Sequence, residues 1–285
     1  MAAICSEATR DPARVARIHA PVCPAPQGNQ LLAAMPADVR EVLFPHLQRV
    51  WLPVGKVLHE AGDCMRQVYF PSGALVSLSM AMEDGTATEI AAVGNEGLVG
   101  MASILGGETN LVRALVVDSG SAFALSRARL MEFFHGSAAL QQLLLRYAQA
   151  SLIQVAQTAA CNRRHSVEQQ FCRWLLQRLD HGDTQCVHAT HEAIASVLGV
   201  RRETVSQVAG RLQKLGLIQL SRCRLEIIDR RPIETLCCEC YFVVRKETDR
   251  LLPAATSGLR QMAAGSAARS AVAGRRMALP MAGIL

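Results

Sequence analysis

The sequence lacks the segments that would place a protein in a membrane or export it. It does not open on a basic and apolar segment ending in small residues, and no apolar run approaches the roughly 18 residues that cross a bilayer. We therefore expect a soluble cytoplasmic protein without membrane partners.

Residues that could support catalysis are also scarce. Strand-like segments fill residues 49–125, where His59 is the only histidine. A metal enzyme built on a small β-roll needs several closely spaced histidines and a carboxylate, and no stretch offers a nucleophile, a base and an orienting group. An enzyme is not expected.

Basic charge is concentrated toward the end of a chain that is long enough for two domains and tails. Half of the 285 residues are apolar, so the protein is expected to be globular. Residues 1–198 contain 15 basic and 17 acidic side chains, whereas residues 199–285 contain 15 basic and 7 acidic ones. The C-terminal part is therefore expected to face a polyanion.

Residues 190–220, THEAIASVLGVRRETVSQVAGRLQKLGLIQL, predict a helix-turn-helix. Thr190 can cap the first helix, and Gly199 allows the positive φ of a tight turn. Ala195 is small enough for a close helix crossing, and Val205 packs the second helix onto the first. A charged helix face alone is typical of any solvated surface. The combined spacing of these residues indicates a DNA-binding unit instead.

The second of these helices is predicted to be amphipathic, with an apolar stripe of Val205, Val208, Leu212 and Leu215. Its opposite face suits a DNA groove, because arginine can pair with guanine, glutamate with cytosine and glutamine with adenine. The DNA-binding residues predicted on this helix are Arg201, Arg202, Glu203, Thr204, Ser206, Gln207 and Lys214. The candidate base readers are Arg202, Glu203 and Gln207.

The remainder of the DNA-binding domain is predicted over residues 166–252. Ser166 and Gln169 form a capping-box pair that indicates its first helix. Two short strands, 217–220 and 225–228, predict a wing whose Arg222 and Arg224 contact phosphates. One last helix is expected from Pro232 through Leu252.

The first half of the chain predicts a β-roll of the jelly-roll kind, within a sensor domain over residues 30–137. Its β-branched segments are separated by regularly spaced turn residues. The clearest hairpin, ALVSLSMAMEDGTATEIAAV, turns at Asp84 and Gly85. Residues 1–29 predict a flexible leader, and residues 253–285 a disordered basic tail.

A long helix is predicted from about Ala138 to Ala160, followed by a polar connector, so that residues 138–165 link the two domains. Its apolar seam steps by 3, 4, 3 and 4 residues and comprises Leu145, Ala148, Leu152, Val155 and Ala159. The seam fits packing against the roll or against a second chain, and both can hold on different faces. We expect a homodimer, because a two-fold reader of DNA needs one.

Ten cysteines are present, but a chain with an ample core needs no disulfide scaffold, so reduced thiols are expected. Cys237, Cys238 and Cys240 leave two interpretations, metal ligands or buried thiols. On one continuous helix Cys237 and Cys240 share a face while Cys238 turns away. This arrangement favours buried thiols, and no metal site is predicted.

The sequence resembles the Crp/Fnr family of bacterial transcription regulators over roughly residues 30–252. The resemblance rests on LGVRRETVSQVAGRLQKLGLI and, within one branch, on YFPSGALVSL, MEDGTATEIAAVGNEGLVG, LGGET, AQTAACNRRHS and CECYFVVRKETDRLL. It implies an α+β chain: a sensor roll, a long dimerisation helix and a winged helix-turn-helix that together form a homodimeric regulator of double-stranded DNA. RNA polymerase is left open as a further partner. The alternative is a signal-binding module that acts through protein partners with little DNA binding.

The resemblance also bears on base recognition and on the effector. The family's usual recognition residues fall on Arg202 and Glu203, whereas an arginine common in cyclic AMP receptors is Gln207 here. Members that bind cyclic nucleotide use a Gly-Glu pair and an Arg-Ser or Arg-Thr pair. The matching positions, which are the candidate effector-binding residues, are Gly100, Met101, Arg113 and Ala114. The carboxylate and the hydroxyl are missing, so cyclic AMP is doubtful as the effector, which stays unknown.

Oxygen-sensing members of the family hold an iron–sulfur cluster through a tight N-terminal group of cysteines plus one further cysteine. Cys5, Cys23 and Cys64 are too few and too scattered for such a group. No iron–sulfur cluster is expected.

Overall fold

The computed structural model describes residues 28–83, 85–107, 109–181 and 186–252. Most of the predicted leader, the basic tail and Asp84 of the hairpin turn lie outside these ranges. The described residues form an N-terminal β-roll, a long helix and a C-terminal winged helix-turn-helix, which confirms the predicted α+β fold. No helix among them is long and apolar enough to cross a membrane.

The chain enters the fold through Asn29, within the segment predicted to be a flexible leader. Its buried side chain donates to the carbonyls of Pro71 and Gly97 at 2.8 and 2.9 Å and accepts from the Leu32 N–H. These bonds tie the start of the first helix to the roll. The helices before the strands are α1 (Gln30–Ala33), α2 (Ala37–Leu43) and a 3-10 turn (Phe44–His46).

The roll consists of two antiparallel sheets that enclose an apolar layer. Its strands are β1 (Gln48–Leu52), β2 (Val57–His59), β3 (Gln67–Pro71), β4 (Leu75–Ala81), β5 (Ala87–Val93), β6 (Arg113–Asp118) and β7 (Gly120–Ser126). One sheet has the order β1-β7-β3 and the other β2-β6-β4-β5. Leu52, Val76 and Ala122 are among the buried residues between the sheets. The predicted hairpin pairs β4 with β5, so β5 forms an edge of its sheet.

Two helices connect the roll to the second domain, α3 (Arg127–Gly136) and α4 (Ala138–Arg164). The Ser137 hydroxyl caps α4 by accepting from the Leu140 N–H. The helix continues to Arg164, so the predicted polar connector is its last turn. Cys161 and His165 therefore lie one helical turn apart.

In the part of the second domain that the structure describes, five helices and a small sheet pack around one core. Its elements are α5 (Val167–Asp180), β8 (Cys186–His188), α6 (His191–Leu198), α7 (Arg202–Lys214), β9 (Ile218–Ser221), β10 (Arg224–Ile227), α8 (Arg230–Leu236) and α9 (Glu239–Leu251). The capping box of Ser166 and Gln169 at the start of α5 is confirmed. The sheet order is β8-β10-β9, and β9 with β10 forms the predicted wing.

Two details of this domain differ from the predictions. The single last helix is instead α8 and α9, because Cys237 and Cys238 adopt extended backbone and α9 begins only after Cys238. Leu215 is 56% exposed, since α7 ends at Lys214 and the chain turns away there. Ala209 is buried on the apolar stripe between Val205 and Leu212.

Candidate DNA-binding interface and associated sites

The helix-turn-helix is built by short-range interactions within residues 190–214. The Thr190 hydroxyl accepts from the Ala193 N–H at 3.0 Å and so caps α6. Gly199 ends α6 with φ 65°, a conformation that costs little only in glycine. Ala195 and Val205 are buried where α6 and α7 cross. The predicted turn geometry is confirmed at each of these positions.

The N-terminal end of α7 presents polar side chains to solvent. Arg201, Arg202 and Glu203 are exposed, and Ser206 and Gln207 follow one turn later on the same side. Thr204 is half-buried, whereas Lys214 is exposed at the far end of the helix. The helix dipole adds positive potential where Arg201 and Arg202 stand.

His191, which the sequence analysis did not single out, also belongs to this surface. Its Nδ1 lies 2.9 Å from the Ser206 hydroxyl oxygen. The same hydroxyl donates to the Arg202 carbonyl oxygen at 3.1 Å. These bonds hold Ser206 in place and put an imidazole next to the recognition helix. The available signal was the position of His191 directly after the capping residue Thr190.

A groove with a volume of about 510 Å³ separates the start of α7 from the wing. Arg202 and His191 line one wall, and Arg222 and Arg224 line the other. Arg222 is exposed in the tight turn of the wing, whereas Arg224 forms an ion pair with Glu226 at 3.1 Å. The structure therefore brings Arg202 of the helix and the two predicted wing arginines to one groove.

The candidate effector residues lie at two places in the roll. Gly100 precedes the 3-10 turn Met101–Ser103, and Arg113 begins β6. The guanidinium of Arg113 pairs with Glu60 at 3.1 Å. Ala114 is fully buried in the apolar layer between the sheets. Arg113 is thus the one charged member of the set, and it already has a carboxylate partner.

The predicted seam of α4 divides between two environments. Leu145 and Leu152 are 46% and 60% exposed, Ala159 is exposed and Val155 is half-buried. Ala148 differs, because it is 5% exposed and packs within its own chain. The solvent-exposed stripe of α4 therefore consists of Leu145, Leu152 and Ala159, which are spaced seven residues apart.

The DNA-binding domain contacts the roll at the edge strand β5. The Ser196 hydroxyl of α6 donates to the Ala87 carbonyl at 3.2 Å, and Arg178 of α5 pairs with Glu89 at 2.6 Å. Beyond the strand, His181 Nδ1 lies 2.7 Å from the Glu96 carboxylate. The sequence does not indicate these pairs, since each joins residues more than 80 positions apart.

His181 and Glu96 both have shifted pKa values. Burial by itself lowers the pKa of His181, but the charge and hydrogen bond of Glu96 outweigh it and raise the pKa above the ordinary 6.5. Burial acts to raise the pKa of Glu96, but His181 and the Gly94 N–H hold it below the ordinary 4.5. The pair is therefore most stable with both groups charged.

A cluster of metal-ligating side chains lies where α4 meets α9. It comprises Cys161, His165, Cys238 and Cys240, whose ligand atoms all lie within 4.8 Å of one another. The prediction that Cys238 turns away from Cys240 is wrong, because the break before α9 directs both inward. A signal was present in the sequence: CNRRH places a cysteine and a histidine one helical turn apart, and CEC places two more cysteines close together.

Comparisons with known proteins agree with this architecture. A family model described as a Crp-like helix-turn-helix domain matches residues 169–236. The cyclic AMP receptor protein of Thermus thermophilus is 25% identical over 217 residues, which cover 74% of this chain and 97% of that protein.

Solved structures share the fold. FixK2 from Bradyrhizobium japonicum superposes with a TM-score of 0.60 at 15% identity, over 67% of this chain and 98% of that one. The c-di-GMP responsive global regulator CLP of Xanthomonas campestris gives a TM-score of 0.54 at 18% identity, over 68% and 100% of the respective chains.

A β-roll followed by a long helix and a winged helix-turn-helix is the architecture of a two-domain DNA-binding regulator. The family model covers the helix-turn-helix, and the relatives extend the likeness over the roll. The chain thus contains a Crp-like helix-turn-helix domain over residues 169–236 and shares the overall fold of Crp/Fnr transcription regulators.

Proposed function

We propose that the protein acts in the cytoplasm as a homodimer that reads a two-fold-symmetric DNA site, under control of a signal received by the β-roll. The observation that carries this proposal is the groove between α7 and the wing, which gathers Arg202, Arg222 and Arg224 on one exposed surface. A basic groove of this kind fits the edge of a DNA duplex.

Different residues of this surface are proposed to read bases and to bind phosphates. Arg202, Glu203 and Gln207 lie on the end of the helix that enters the major groove in this fold, so their side chains would reach base edges. Arg201, Thr204, Ser206, Lys214, Arg222 and Arg224 are the remaining proposed contacts. Of these, Lys214 and the wing arginines would contact the backbone, which positions the protein.

The exposed stripe of α4 supports dimerisation. Large apolar side chains at Leu145 and Leu152 are costly in water, and a second copy of the stripe would bury them. A dimer would also place two recognition helices on successive half-sites, about one helical turn of DNA apart. Val155 and Ala159 extend this interface.

The proposed route from sensor to DNA is the contact of β5 with α5 and α6. A ligand that displaced β5 would move Arg178 and with it the DNA-binding domain, since Glu89 holds that side chain. We propose an effector other than cyclic AMP, because Met101 and Ala114 offer neither a carboxylate nor a hydroxyl.

The test is selection of a target from a pool of random DNA duplexes, followed by titration of the selected duplex with the full chain. We expect a palindromic sequence, two chains per duplex and an affinity that falls steeply with salt. A shuffled duplex of equal length is the control. Equal affinity for both duplexes, or one chain per duplex, would contradict the proposal.

A further inference from the structure

Four side chains from distant parts of the chain meet at the junction of α4 and α9. Cys161 and His165 stand one turn apart at the end of α4, and Cys238 and Cys240 stand at the start of α9. The three cysteines are at most 2% exposed, and His165 is half-buried. We propose that these four residues form a tetrahedral zinc site.

Two distances within the cluster match the edges of a zinc tetrahedron. Cys161 Sγ lies 3.6 Å from Cys238 Sγ, and Cys240 Sγ lies 3.4 Å from His165 Nδ1. With Zn–S of about 2.3 Å and Zn–N of about 2.0–2.1 Å, tetrahedral geometry separates two sulfurs by about 3.8 Å and a sulfur from a nitrogen by about 3.6 Å. These two edges lie within about 0.2 Å of the tetrahedral values. The remaining ligand atoms lie within 4.8 Å of one another, so binding the ion would draw the widest pair about 1 Å closer.

Neighbouring groups orient and support these ligands. His165 Nε2 lies 3.2 Å from the Glu239 carboxylate, which directs Nδ1 toward Cys240. A carboxylate on the outer nitrogen of a metal-binding imidazole is a common arrangement in zinc sites. Gln157 donates to Cys240 Sγ at 3.0 Å, a bond that suits a thiolate acceptor.

The choice of metal follows from the ligand set. Three thiolates and one imidazole select zinc in a closed, structural site, whereas calcium and magnesium prefer oxygen ligands. Three thiolates with Zn²⁺ carry a net charge of −1. The buried guanidinium of Arg173 supplies positive charge nearby, since it donates to Thr158, three residues before Cys161 on α4.

The alternative use of the cluster is a disulfide between Cys161 and Cys238. Such a bond would leave His165, Glu239 and Cys240 without the roles that their arrangement indicates. A zinc ion uses all four ligands, and it would fasten the end of the proposed dimerisation helix to the DNA-binding domain. This inference does not depend on which DNA is read.

Zinc binding can be measured on the full chain, purified under reductant, supplied with Zn²⁺ and freed of unbound metal by gel filtration. We expect about one zinc per chain by elemental analysis. Replacing zinc by Co²⁺ should produce the visible bands of a tetrahedral site and a sulfur-to-cobalt charge-transfer band.

Variants identify the ligands. C161S and H165A should bring the zinc content to background, and E239Q should weaken zinc affinity about 10- to 100-fold. Two cysteine variants serve as matched controls that should retain the metal: C237S, beside the cluster, and C64S, exposed in the roll. Circular dichroism checks that each variant is folded.

The proposal is overturned by a chain that takes up less than a tenth of an equivalent of zinc, or by unchanged zinc content in C161S and H165A. A Cys161–Cys238 disulfide that persists in the chain prepared under reductant with Zn²⁺, found by mass spectrometry, would also overturn it. If the ligand variants do not fold, the cobalt spectrum of the unaltered chain decides, since a spectrum without the sulfur-to-cobalt band excludes the site.

Discussion

Arg178 Nη2 lies 2.6 Å from Glu89 Oε2, so that a buried ion pair joins α5 of the DNA-binding domain to β5 of the roll. The two side chains are 7% and 9% exposed. The Arg178 guanidinium also lies over the Trp174 ring, 5.5 Å from its centroid, and Ser77 donates to the same carboxylate oxygen. This pair makes the position of one domain dependent on the other.

Glu89→Gln should destabilise the protein, because it leaves the Arg178 charge buried without an anion. Breaking a buried pair in this way costs about 3 to 5 kcal/mol, and we expect a loss of this order in the free energy of unfolding by urea. Glu83→Gln, an exposed change on the same hairpin, is the control. Equal urea midpoints for the two variants would show that the pair contributes no stability.

The His181–Glu96 pair predicts a dependence of stability on pH. The stability from His181 is fully present below its ordinary pKa of 6.5 and is lost as pH rises through the raised folded-state pKa. The stability from Glu96 is present above 4.5 and is lost as pH falls through the lowered folded-state pKa. The His181–Glu96 pair therefore stabilises the protein most between pH 4.5 and pH 6.5.

Urea unfolding of His181→Gln on both sides of pH 6.5 tests this dependence. The variant should lose stability mainly at the lower pH and show a flatter profile than the unaltered chain. His135→Gln, at an exposed histidine on α3, should leave the profile unchanged. A loss in His181→Gln that is greater at high pH than at low pH would reverse the predicted sign.

Dimerisation through α4 predicts that charge on its exposed stripe separates the chains. The double change Leu152→Asp and Val155→Asp would bury two carboxylates in the interface, so we expect a monomer by light scattering and weak DNA binding. Leu111→Asp, at a leucine of the roll that is 71% exposed, should stay dimeric. A stable dimer of the double variant would remove α4 as the interface.

Base contacts and phosphate contacts predict different losses of DNA affinity when they are removed. Arg202→Ala should cost about 1 to 3 kcal/mol per half-site and relax the preference at one base pair. Arg222→Ala should weaken all sequences alike and reduce the salt dependence by about one charge per half-site. Titrations of the selected and shuffled duplexes at several salt concentrations measure both, with Arg49→Ala on β1 as the control. If Arg202→Ala weakens both duplexes equally, Arg202 is a backbone contact.

Cyclic AMP should bind weakly. Met101 and Ala114 remove two charge-assisted hydrogen bonds worth about 1.5 to 3 kcal/mol each, so affinity should fall by about two to four decades relative to relatives that have them. Calorimetry with 5′-AMP as the reference ligand checks this expectation. Micromolar affinity for cyclic AMP alone would make the roll a cyclic AMP sensor after all.

The helix-turn-helix could be predicted from the sequence because its determinants are local. A capping hydroxyl at Thr190, a left-handed residue at Gly199 and the capping box at Ser166 each act on backbone within a few positions. The turn residues between the strands of the roll and the polar residues at the start of α7 are likewise local features that the sequence predicts. Short-range hydrogen bonds and backbone sterics determined these features from the sequence by itself.

Tertiary structure alone decided which distant side chains meet. Glu89 pairs with Arg178, and Cys161 faces Cys238 across 77 positions, because packing of whole elements brings them together. The tertiary structure also determines that Ala148 is covered by its own chain. The helical period of the sequence does not show this. Periodicity assigns a residue to one side of a helix, but the surface against which that side packs depends on the fold as a whole.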